Sequence, residues 1–244
     1  MTTKSIVSIQ AVSKSFGKQS VLRDINLTIQ KGEIFGLLGP SGSGKTTLVK
    51  TLIGLDNPDN GSITVLDNKM PNLKAMEKIG YMAQADALYQ ELTAMENLDF
   101  FATLYGIKGH KKKKQIEASA SLVNLTNHLN TPVSKFSGGM KRRLSICIAL
   151  LNEPELLILD EPTVGIDPVL RKNIWNTFEQ LKEKGTSIIV TTHVMDEAEK
   201  CDTLGMIRGG QLIAVNTPQN LKETCHAQTL EEAFLYYGGM SYEN

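Results

Sequence analysis

The sequence has 244 residues, of which 41% are hydrophobic and 21% charged, and its 26 basic side chains balance 26 acidic ones. This composition predicts a globular fold with a sizeable core, and the zero net charge excludes a general attraction to nucleic acid or acidic lipid. Cys147, Cys201 and Cys225 are scattered along the chain, which argues against a zinc site and favours a reducing compartment over a disulfide framework.

The first thirty residues predict antiparallel β-structure. One strand begins at Ile6–Ile9, and in a second strand Ile25, Leu27 and Ile29 alternate with polar residues. A further short strand, Ser62–Leu66, lies between two turn-forming runs and looks like another antiparallel piece.

Four short apolar runs predict strands that are buried on both faces, as in a parallel sheet. They are Ile34–Leu38, Leu156–Leu159, Ser187–Thr191 and Leu204–Ile207. Helical patterns lie between them, such as Pro168–Lys184, in which the proline suits a first helical turn and the following Gly185 a helix stop. Strands and helices in alternation imply βαβ units.

Residues 86–151 contain no convincing strand and are predicted to be helical. One of these helices begins with the basic tract Lys111–Lys114, which is expected to be a solvated helix face; a lipid or nucleic-acid patch is the alternative. The fold class is therefore α/β, a mostly parallel sheet with an N-terminal antiparallel β-subdomain and a helical insertion. We predict a single domain over 1–244. Its parts are a core of 1–85 and 152–220, a helical subdomain of 86–151 and a short tail of 221–244.

Residues 39–46 have the sequence Gly-Pro-Ser-Gly-Ser-Gly-Lys-Thr, which matches the phosphate-binding loop pattern. Its glycines let backbone N–H groups converge on phosphate oxygens, Lys45 can reach the β- and γ-phosphates, and the Thr46 hydroxyl can ligate magnesium. A Gly/Ser surface loop is the alternative, but an apolar strand precedes this loop and a helix over Thr46–Ile53 follows it. The predicted nucleotide-binding residues of this segment are Gly39, Pro40, Ser41, Gly42, Ser43, Gly44, Lys45, Thr46 and Thr47.

Asp160 and Glu161 follow the apolar run Leu156–Leu159. Two carboxylates at the end of a buried strand are costly unless they are paired, and a magnesium–phosphate site at that edge of the sheet resolves the cost. Asp160 would hold the metal through water, and Glu161 would act as general base towards the attacking water. A pair of residues that merely caps the strand is the alternative.

Ser137, Gly138 and Gly139 precede the amphipathic run Met140–Leu151. A serine before two glycines and a helix makes a good N-cap and also a second helix terminus that can bind an anion. One chain rarely needs two such termini for one nucleotide, whereas two chains that face each other could share them.

The phosphate loop, the Ser-Gly-Gly motif and Leu-Asp-Glu, in that order, resemble the motifs of the ATP-binding cassette (ABC) family of transporter ATPases, over about Ile6–Asn220. The resemblance implies a P-loop NTPase (RecA-like) fold, with ATP and Mg²⁺ as ligands. It also implies that Phe16 stacks on adenine and that Gln84 lies close to magnesium. Taken alone, Phe16 would be expected to be a core aromatic.

The resemblance implies three further contacts to nucleotide. Ser137, Gly138 and Gly139 would touch the γ-phosphate bound to an opposite subunit, Asp167 would be the D-loop aspartate, and His193 would contact the γ-phosphate as the switch histidine. Catalytic roles thus fall to Glu161 and His193, and the metal ligands would be Thr46, Gln84 and Asp160. Taken alone, His193 would be expected to be a satisfied surface histidine.

The sequence departs from the family pattern at the signature, where Phe136 stands for the usual leucine and Met140 for the usual glutamine. The Ser-Gly-Gly core is intact. The departures, together with the turn Gly165–Pro168 and the compact tail, resemble the branch that exports drugs, antibiotics, lipids or polysaccharides.

The sequence therefore predicts the Mg-dependent ATPase subunit of a membrane exporter. Its partners would be a second ATP-binding subunit, as a homodimer, and a transmembrane permease, with no nucleic acid. The chain has no apolar run of the roughly 18 residues that span a bilayer and no secretory signal pattern. The predicted location is therefore cytoplasmic, peripheral on the inner face of the membrane. The alternatives are a soluble ATPase in an assembly process such as iron–sulfur cluster assembly, an ATP sensor without turnover, and an ordinary P-loop kinase or GTPase.

Overall fold

The structure is a computed structural model that describes residues 4–239. The start of the predicted core, 1–3, and the end of the predicted tail, 240–244, lie outside the described residues. The chain forms two compact units. The discontinuous unit consists of the segments up to Ala75 and from Ile189 onwards, and the central unit is Met76–Ile188. The predicted division into core, helical subdomain and tail stays a prediction.

The discontinuous unit contains an antiparallel sheet at the start of the chain. Strands β1 (Ser5–Phe16) and β2 (Gln19–Gln30) pair with each other, and β1 also pairs with β4 (Asn60–Val65), which pairs with β5 (Asn68–Lys69). The sheet order is β2-β1-β4-β5. Ile25, Leu27 and Ile29 are buried, as the alternation requires, and the predicted antiparallel subdomain is confirmed.

The parallel part of the discontinuous unit is built around β3 (Ile34–Leu38), all of whose residues are buried. It pairs parallel with β9 (Thr203–Arg208), which pairs antiparallel with β10 (Gln211–Asn216) on its other side. The strand β8 (Ser187–Thr192) carries the chain from the central unit back into this one. The sequence pattern of Gln211–Asn216 does not predict the strand β10.

Short helices complete the discontinuous unit. The helix after β3, α1, covers Lys45–Leu52, one residue earlier at each end than predicted. The remaining helices are α7 (Met195–Ala198), α8 (Pro218–Thr224) and α9 (Leu230–Tyr237), and α2 (Leu73–Met76) leads into the central unit. Among residues 4–239, none of the helices combines the length and the apolar character that a bilayer crossing requires.

The central unit pairs two parallel strands, β6 (Ile79–Met82) and β7 (Leu156–Asp160), so that Met82 lies opposite Leu159. Its helices are α3 (Ala94–Leu104), α4 (Gly109–Leu122), α5 (Gly138–Leu150) and α6 (Pro168–Glu183), with 3₁₀ turns at Thr126–His128 and Val133–Lys135. The helical prediction for 86–151 thus agrees with the structure. The strand β6, which precedes this range, is not predicted from the sequence.

The basic tract lies in the first turns of α4, as predicted. Lys111, Lys113 and Lys114 are exposed, and Lys112 donates to the Asp99 carboxylate at 2.6 Å. These contacts agree with a solvated helix face, because three of the four lysines are exposed, Lys112 pairs with Asp99 and Lys113 lies 4.0 Å from the Glu117 carboxylate.

Candidate nucleotide-binding site

The predicted phosphate loop lies in the discontinuous unit, between β3 and α1. The N–H of Gly39 donates to the carbonyl of Thr192 at 3.3 Å, so the loop begins beside the end of β8. The N–H of Ser43 donates to the carbonyl of Pro40 at 3.2 Å, and the Ser43 carbonyl accepts from Gly210 at 3.1 Å. These bonds close the loop and tie it to the turn after β9.

Two glycines keep the backbone of the loop free of side chains. A Cβ built at Gly39 would lie 2.3 Å from the carbonyl oxygen of Ile207, so no larger residue fits without displacement. Gly44 has φ of +107°, outside the conformations that residues with a Cβ adopt readily, and a Cβ there would meet Val21 at 3.0 Å. The loop therefore presents backbone rather than side chains, which is what a phosphate group requires.

The ammonium group of Lys45 lies within this loop. Its side chain is buried, and Nζ donates to the carbonyls of Gly39 at 2.7 Å and Pro40 at 3.1 Å. The buried Ser43 hydroxyl has no hydrogen-bond partner among the described residues. A positive charge and an unsatisfied hydroxyl in one cradle suit an anion with several acceptor oxygens.

The helix α1 points its N-terminus at the loop. Gly44 caps it without a side-chain bond, and its first turn carries no acidic residue. Thr46 and Thr47 in that turn are half-buried. The N–H groups of the first turn and the helix dipole therefore favour an anion at this end.

Phe16 ends β1 in the same unit, and half of its surface is exposed. The Lys14 ammonium lies 5.3 Å from the ring centroid, and the Asp59 carboxylate accepts from Ser15 N–H at 2.6 Å and from Lys14 at 3.2 Å. These two hydrogen bonds, the first from the Ser15 backbone, lower the pKa of Asp59. An exposed aromatic ring at a fixed position can accept a stacked base; it is not a core aromatic.

His193 follows β8 directly and is exposed. Its neighbour Thr192 accepts the Gly39 N–H, which brings this strand end to the first glycine of the phosphate loop. The Thr192 hydroxyl donates to the Glu197 carboxylate at 2.7 Å and accepts from Val194 N–H at 3.0 Å. The turn that carries His193 is therefore fixed on both sides.

Asp160 and Glu161 lie at the carboxyl end of β7 in the central unit. Asp160 is fully buried, and only 8% of the surface of Glu161 is exposed. Burial, with a smaller contribution from the charge of Asp160, raises the pKa of Tyr81 to about 12. Glu161 has φ of +52°, in the left-handed region, which ends the strand there. Such a conformation costs a non-glycine residue about 1–3 kcal/mol and needs support from its surroundings.

Gln84 follows β6, whose carboxyl end meets that of β7 because the two strands are parallel. Its Nε2 donates to the Glu161 Oε2 at 3.1 Å. The structure thus brings together two predicted site residues that are distant in sequence, and it holds the Glu161 carboxylate by one of its oxygens.

The Ser-Gly-Gly motif starts α5. Ser137 caps the helix by accepting the Met140 N–H at 3.3 Å, Phe136 is buried beneath it, and Gly138 is exposed with open space around its Cα. Phe136 therefore keeps a buried apolar side chain where the family usually has leucine. The first turn of α5 offers exposed N–H groups of the kind that bind an anion.

Asp167 caps α6, accepting the Leu170 N–H at 3.0 Å, with Pro168 as the first helical residue. A Cβ at Gly139 would meet a methyl group of Leu170 at 3.0 Å, so the start of α5 lies against the start of α6. The second glycine of the motif and the D-loop are therefore neighbours within the central unit.

One buried charge of the central unit is absent from the sequence prediction. Arg142, in α5, is 7% exposed and donates to the backbone on both sides of the Glu161–Gln84 pair. Its position one turn before Ile146 and two before Leu150 places it on the apolar face of the helix, which is the signal that could have found it.

The site residues are distributed over both units. The phosphate loop, Phe16 and His193 belong to the discontinuous unit, whereas Gln84, the Ser-Gly-Gly motif and the strand-end carboxylates belong to the central unit. The individual roles assigned to them stay predictions.

The sequence matches the family described as "ABC transporter" over residues 22–164. It is 38% identical over 239 residues to the Escherichia coli K12 protein named "Probable multidrug ABC transporter ATP-binding protein YbhF". That match covers 95% of this chain and 41% of YbhF, so the chain spans about two fifths of the length of this relative. It is 43% identical over 219 residues to the Bacillus subtilis 168 "Linearmycin resistance ATP-binding protein LnrL", covering 88% of this chain and 70% of LnrL.

The fold is similar to a solved structure described as "Dimeric structure of a post-hydrolysis state of the ATP-binding cassette MJ0796 bound to ADP and Pi". The TM-score is 0.80 at 27% sequence identity, with 86% of this chain and 98% of that chain covered. This similarity confirms the predicted P-loop NTPase fold class, and the family match confirms the resemblance drawn from the motifs. The chain belongs to the ABC transporter family and is one of its ATP-binding domains.

Proposed function

We propose that this chain hydrolyses ATP to drive a membrane exporter, bound to a separate permease on the cytoplasmic face of the membrane. The names of two relatives support export: YbhF as a probable multidrug transporter protein and LnrL as a resistance protein. The same names do not favour a soluble assembly factor.

The observation that carries hydrolysis is the hydrogen bond from Gln84 to the Glu161 carboxylate at 3.1 Å. This bond orients the Glu161 carboxylate at the end of β7. Glu161 then takes the proton of the attacking water as general base, a role that contributes roughly 10²- to 10⁴-fold to a rate. Lys45 and the phosphate loop bind the phosphates, His193 contacts the γ-phosphate, and Phe16 stacks on adenine.

Mg²⁺ fits the donor groups available. No group of three or more His, Cys, Asp or Glu side chains within residues 4–239 could hold a metal by itself. A magnesium ion that accompanies a nucleotide needs few protein ligands, because water and phosphate oxygens complete its shell. Thr46, Gln84 and Asp160 supply oxygen donors of the kind it prefers. When bound, the ion would neutralise charge on the phosphates.

The chain acts as a head-to-tail homodimer around two nucleotides, an arrangement in which each subunit supplies complementary parts. Ser137 and Gly138, exposed at the start of α5, would bind the γ-phosphate held by the opposite subunit, with Gly139 and Asp167 beside them. The dimeric state of the similar cassette described with ADP and Pi supports this assembly. ATP bound at such an interface shifts the population towards the closed dimer.

An exposed aromatic surface in the central unit supports a permease partner. The ring centroids of Tyr89 and Phe100 lie 5.0 Å apart, with the rings edge to face. Phe100, Leu104 and Tyr105 are each between 38% and 66% exposed. Apolar surface of this kind marks protein–protein contact sites. Tyr89 lies shortly after Gln84 in the chain, so a partner here would contact the segment that carries the Glu161 hydrogen bond. The balanced charge gives no reason to propose a nucleic-acid partner.

The test is a pull-down from detergent-solubilised native membranes, with tagged Glu161→Gln protein and Mg·ATP, and partners identified by mass spectrometry. A multi-spanning protein in stoichiometric amount is expected, reduced in a matched sample without ATP. A soluble partner alone, with no integral membrane protein, would overturn the exporter proposal in favour of an assembly factor.

A further inference from the structure

Arg142 of α5 is a buried guanidinium that reaches two separate loops of the central unit. It donates five hydrogen bonds to backbone carbonyls in the segment after β6 and in the segment that includes the last residue of β7 and the two residues after it. The acceptors are the carbonyls of Ala83 at 3.3 Å, Gln84 at 2.8 Å, Asp160 at 2.7 Å and Pro162 at 3.1 Å, together with the carbonyl of Glu161.

An ion pair with Asp86 offsets part of the charge of Arg142. The Asp86 carboxylate lies 3.6 Å from its Nη1 and also accepts the Ser145 hydroxyl at 2.7 Å. Burial lowers the pKa of Arg142, and the charges of Asp86, Asp160 and Glu161 oppose that shift. A planar fork with five N–H donors can serve all five carbonyls at once, whereas a lysine ammonium has only three donors.

These contacts fix the two residues on which hydrolysis is proposed to depend. Glu161 is in the left-handed conformation, and Arg142 accounts for part of its support by binding the carbonyls of Asp160, Glu161 and Pro162. The same guanidinium holds the carbonyl of Gln84, whose side chain donates to Glu161. One cation thus joins the backbone of the two residues whose side chains are hydrogen-bonded.

We propose that Arg142 is a positioning residue, which clamps the Gln84 segment to the Glu161 segment so that the Glu161 carboxylate stays aligned for proton abstraction. The proposal rests on the proposed function, because it assigns Arg142 a part in ATP hydrolysis. Arg142 donates to backbone carbonyls, so it acts through the Gln84 and Glu161 segments and not on the reacting atoms. Misplacement of a reacting group by about 1 Å can reduce a rate by about 10²-fold.

The test compares Arg142→Lys and Arg142→Gln with wild type and with a control, Asn152→Ala. Asn152 also joins elements of the central unit through side-chain bonds to backbone carbonyls, those of Glu77 at 3.0 Å and Ile79 at 3.2 Å, but at the start of β6. Both Arg142 variants should lower kcat about 10- to 100-fold with ATP affinity within about twofold, since the ATP-binding loop lies in the other unit. Asn152→Ala should lose about as much thermal stability as the Arg142 variants. Its kcat and its ATP affinity should nevertheless stay near those of wild type.

A second readout does not depend on activity. By hydrogen exchange, the Arg142 variants should open the segments 83–86 and 160–163 faster than wild type, with α3 unchanged. Wild-type turnover that persists in Arg142→Lys, an equal loss in Asn152→Ala, or unchanged exchange in both segments would overturn the proposal. If the wild-type protein itself does not hydrolyse ATP, the proposed function fails, while the exchange rates still decide whether the clamp exists.

Discussion

Replacing Gly39 with alanine tests how far the phosphate loop depends on its approach to β9. The new Cβ would lie 2.3 Å from the Ile207 carbonyl oxygen and 2.8 Å from the Ser43 Oγ. Non-bonded contacts to carbon need about 3.5 Å, so the loop or the strand must give by about 1 Å. Overpacking of this size costs about 1–3 kcal/mol, which lowers the Tm of a chain of this length by roughly 2–12 °C.

The same displacement should weaken ATP binding. A donor moved by about 1 Å no longer hydrogen-bonds, and a hydrogen bond to a charged group contributes about 1.5–3 kcal/mol, so the Kd should rise roughly 10- to 150-fold. Isothermal titration calorimetry with ATP, well below the Tm of the variant, measures the change. Gly80→Ala is the matched control, because its Cβ would lie 2.1 Å from the carbonyl oxygen of Ala149 in the central unit.

The control should lose a similar amount of thermal stability and keep its ATP affinity. A Gly39→Ala protein with a Kd within about twofold of wild type would refute the reasoning, since the loop would then have absorbed the clash without moving its donors. Equal weakening of ATP binding in Gly80→Ala would refute it as well, because the effect would then follow general stability.

Three further predictions concern the other site residues and the core. Glu161→Gln should lower ATP turnover by roughly 10²- to 10⁴-fold while it retains ATP and accumulates as a dimer; a phosphate-release assay with size-exclusion chromatography would contradict this if turnover stayed near wild type. Phe16→Ala should weaken ATP and ADP equally, by about 1–3 kcal/mol for a lost stacking contact, and Phe16→Tyr should not, as measured by calorimetry; an Ala variant with wild-type affinity would exclude stacking. Burial raises the pKa of the Cys147 thiol to about 12 from 9.0. The unfolded chain therefore releases this proton first, and the free energy of unfolding should fall as pH rises from about 9 towards 12, by at most about 1.4 kcal/mol per pH unit. Urea unfolding over that range should show a shallower fall in Cys147→Ala, and an identical slope would show that this thiol does not contribute.

The sequence predicts those strands whose hydrophobic pattern alone indicates a strand. β3 and β7 are uninterrupted apolar runs, and both are fully buried. β6 has four residues with a glycine at its second position, and it is a strand because it pairs with β7, a contact that no local pattern contains. β10 is half-exposed and weakly patterned, although the preceding Gly209-Gly210 pair is a hairpin sequence that points to it.

The site residues also differ in how far their positions can be predicted from the sequence. The phosphate loop and the Asp160–Glu161 pair consist of consecutive residues that form a known motif, so they can be recognised from the sequence. The Gln84–Glu161 hydrogen bond joins residues 77 positions apart and depends on the meeting of two strand ends. Arg142 depends on partners 18 to 59 positions away, and only its place on an apolar helix face indicates that it is buried.

The discontinuous unit cannot be completed until the last of its strands has been synthesised. The strand β3 pairs with β9, and the first glycine of the phosphate loop packs against Ile207. At about 5–20 residues per second, translation needs roughly 10–30 s to pass from the loop to that strand. The central unit is continuous in sequence and is synthesised during this interval. A nascent chain therefore carries the complete phosphate-loop sequence long before the strand against which that loop packs, and we expect a truncation before β9 to weaken ATP binding although every loop residue is present.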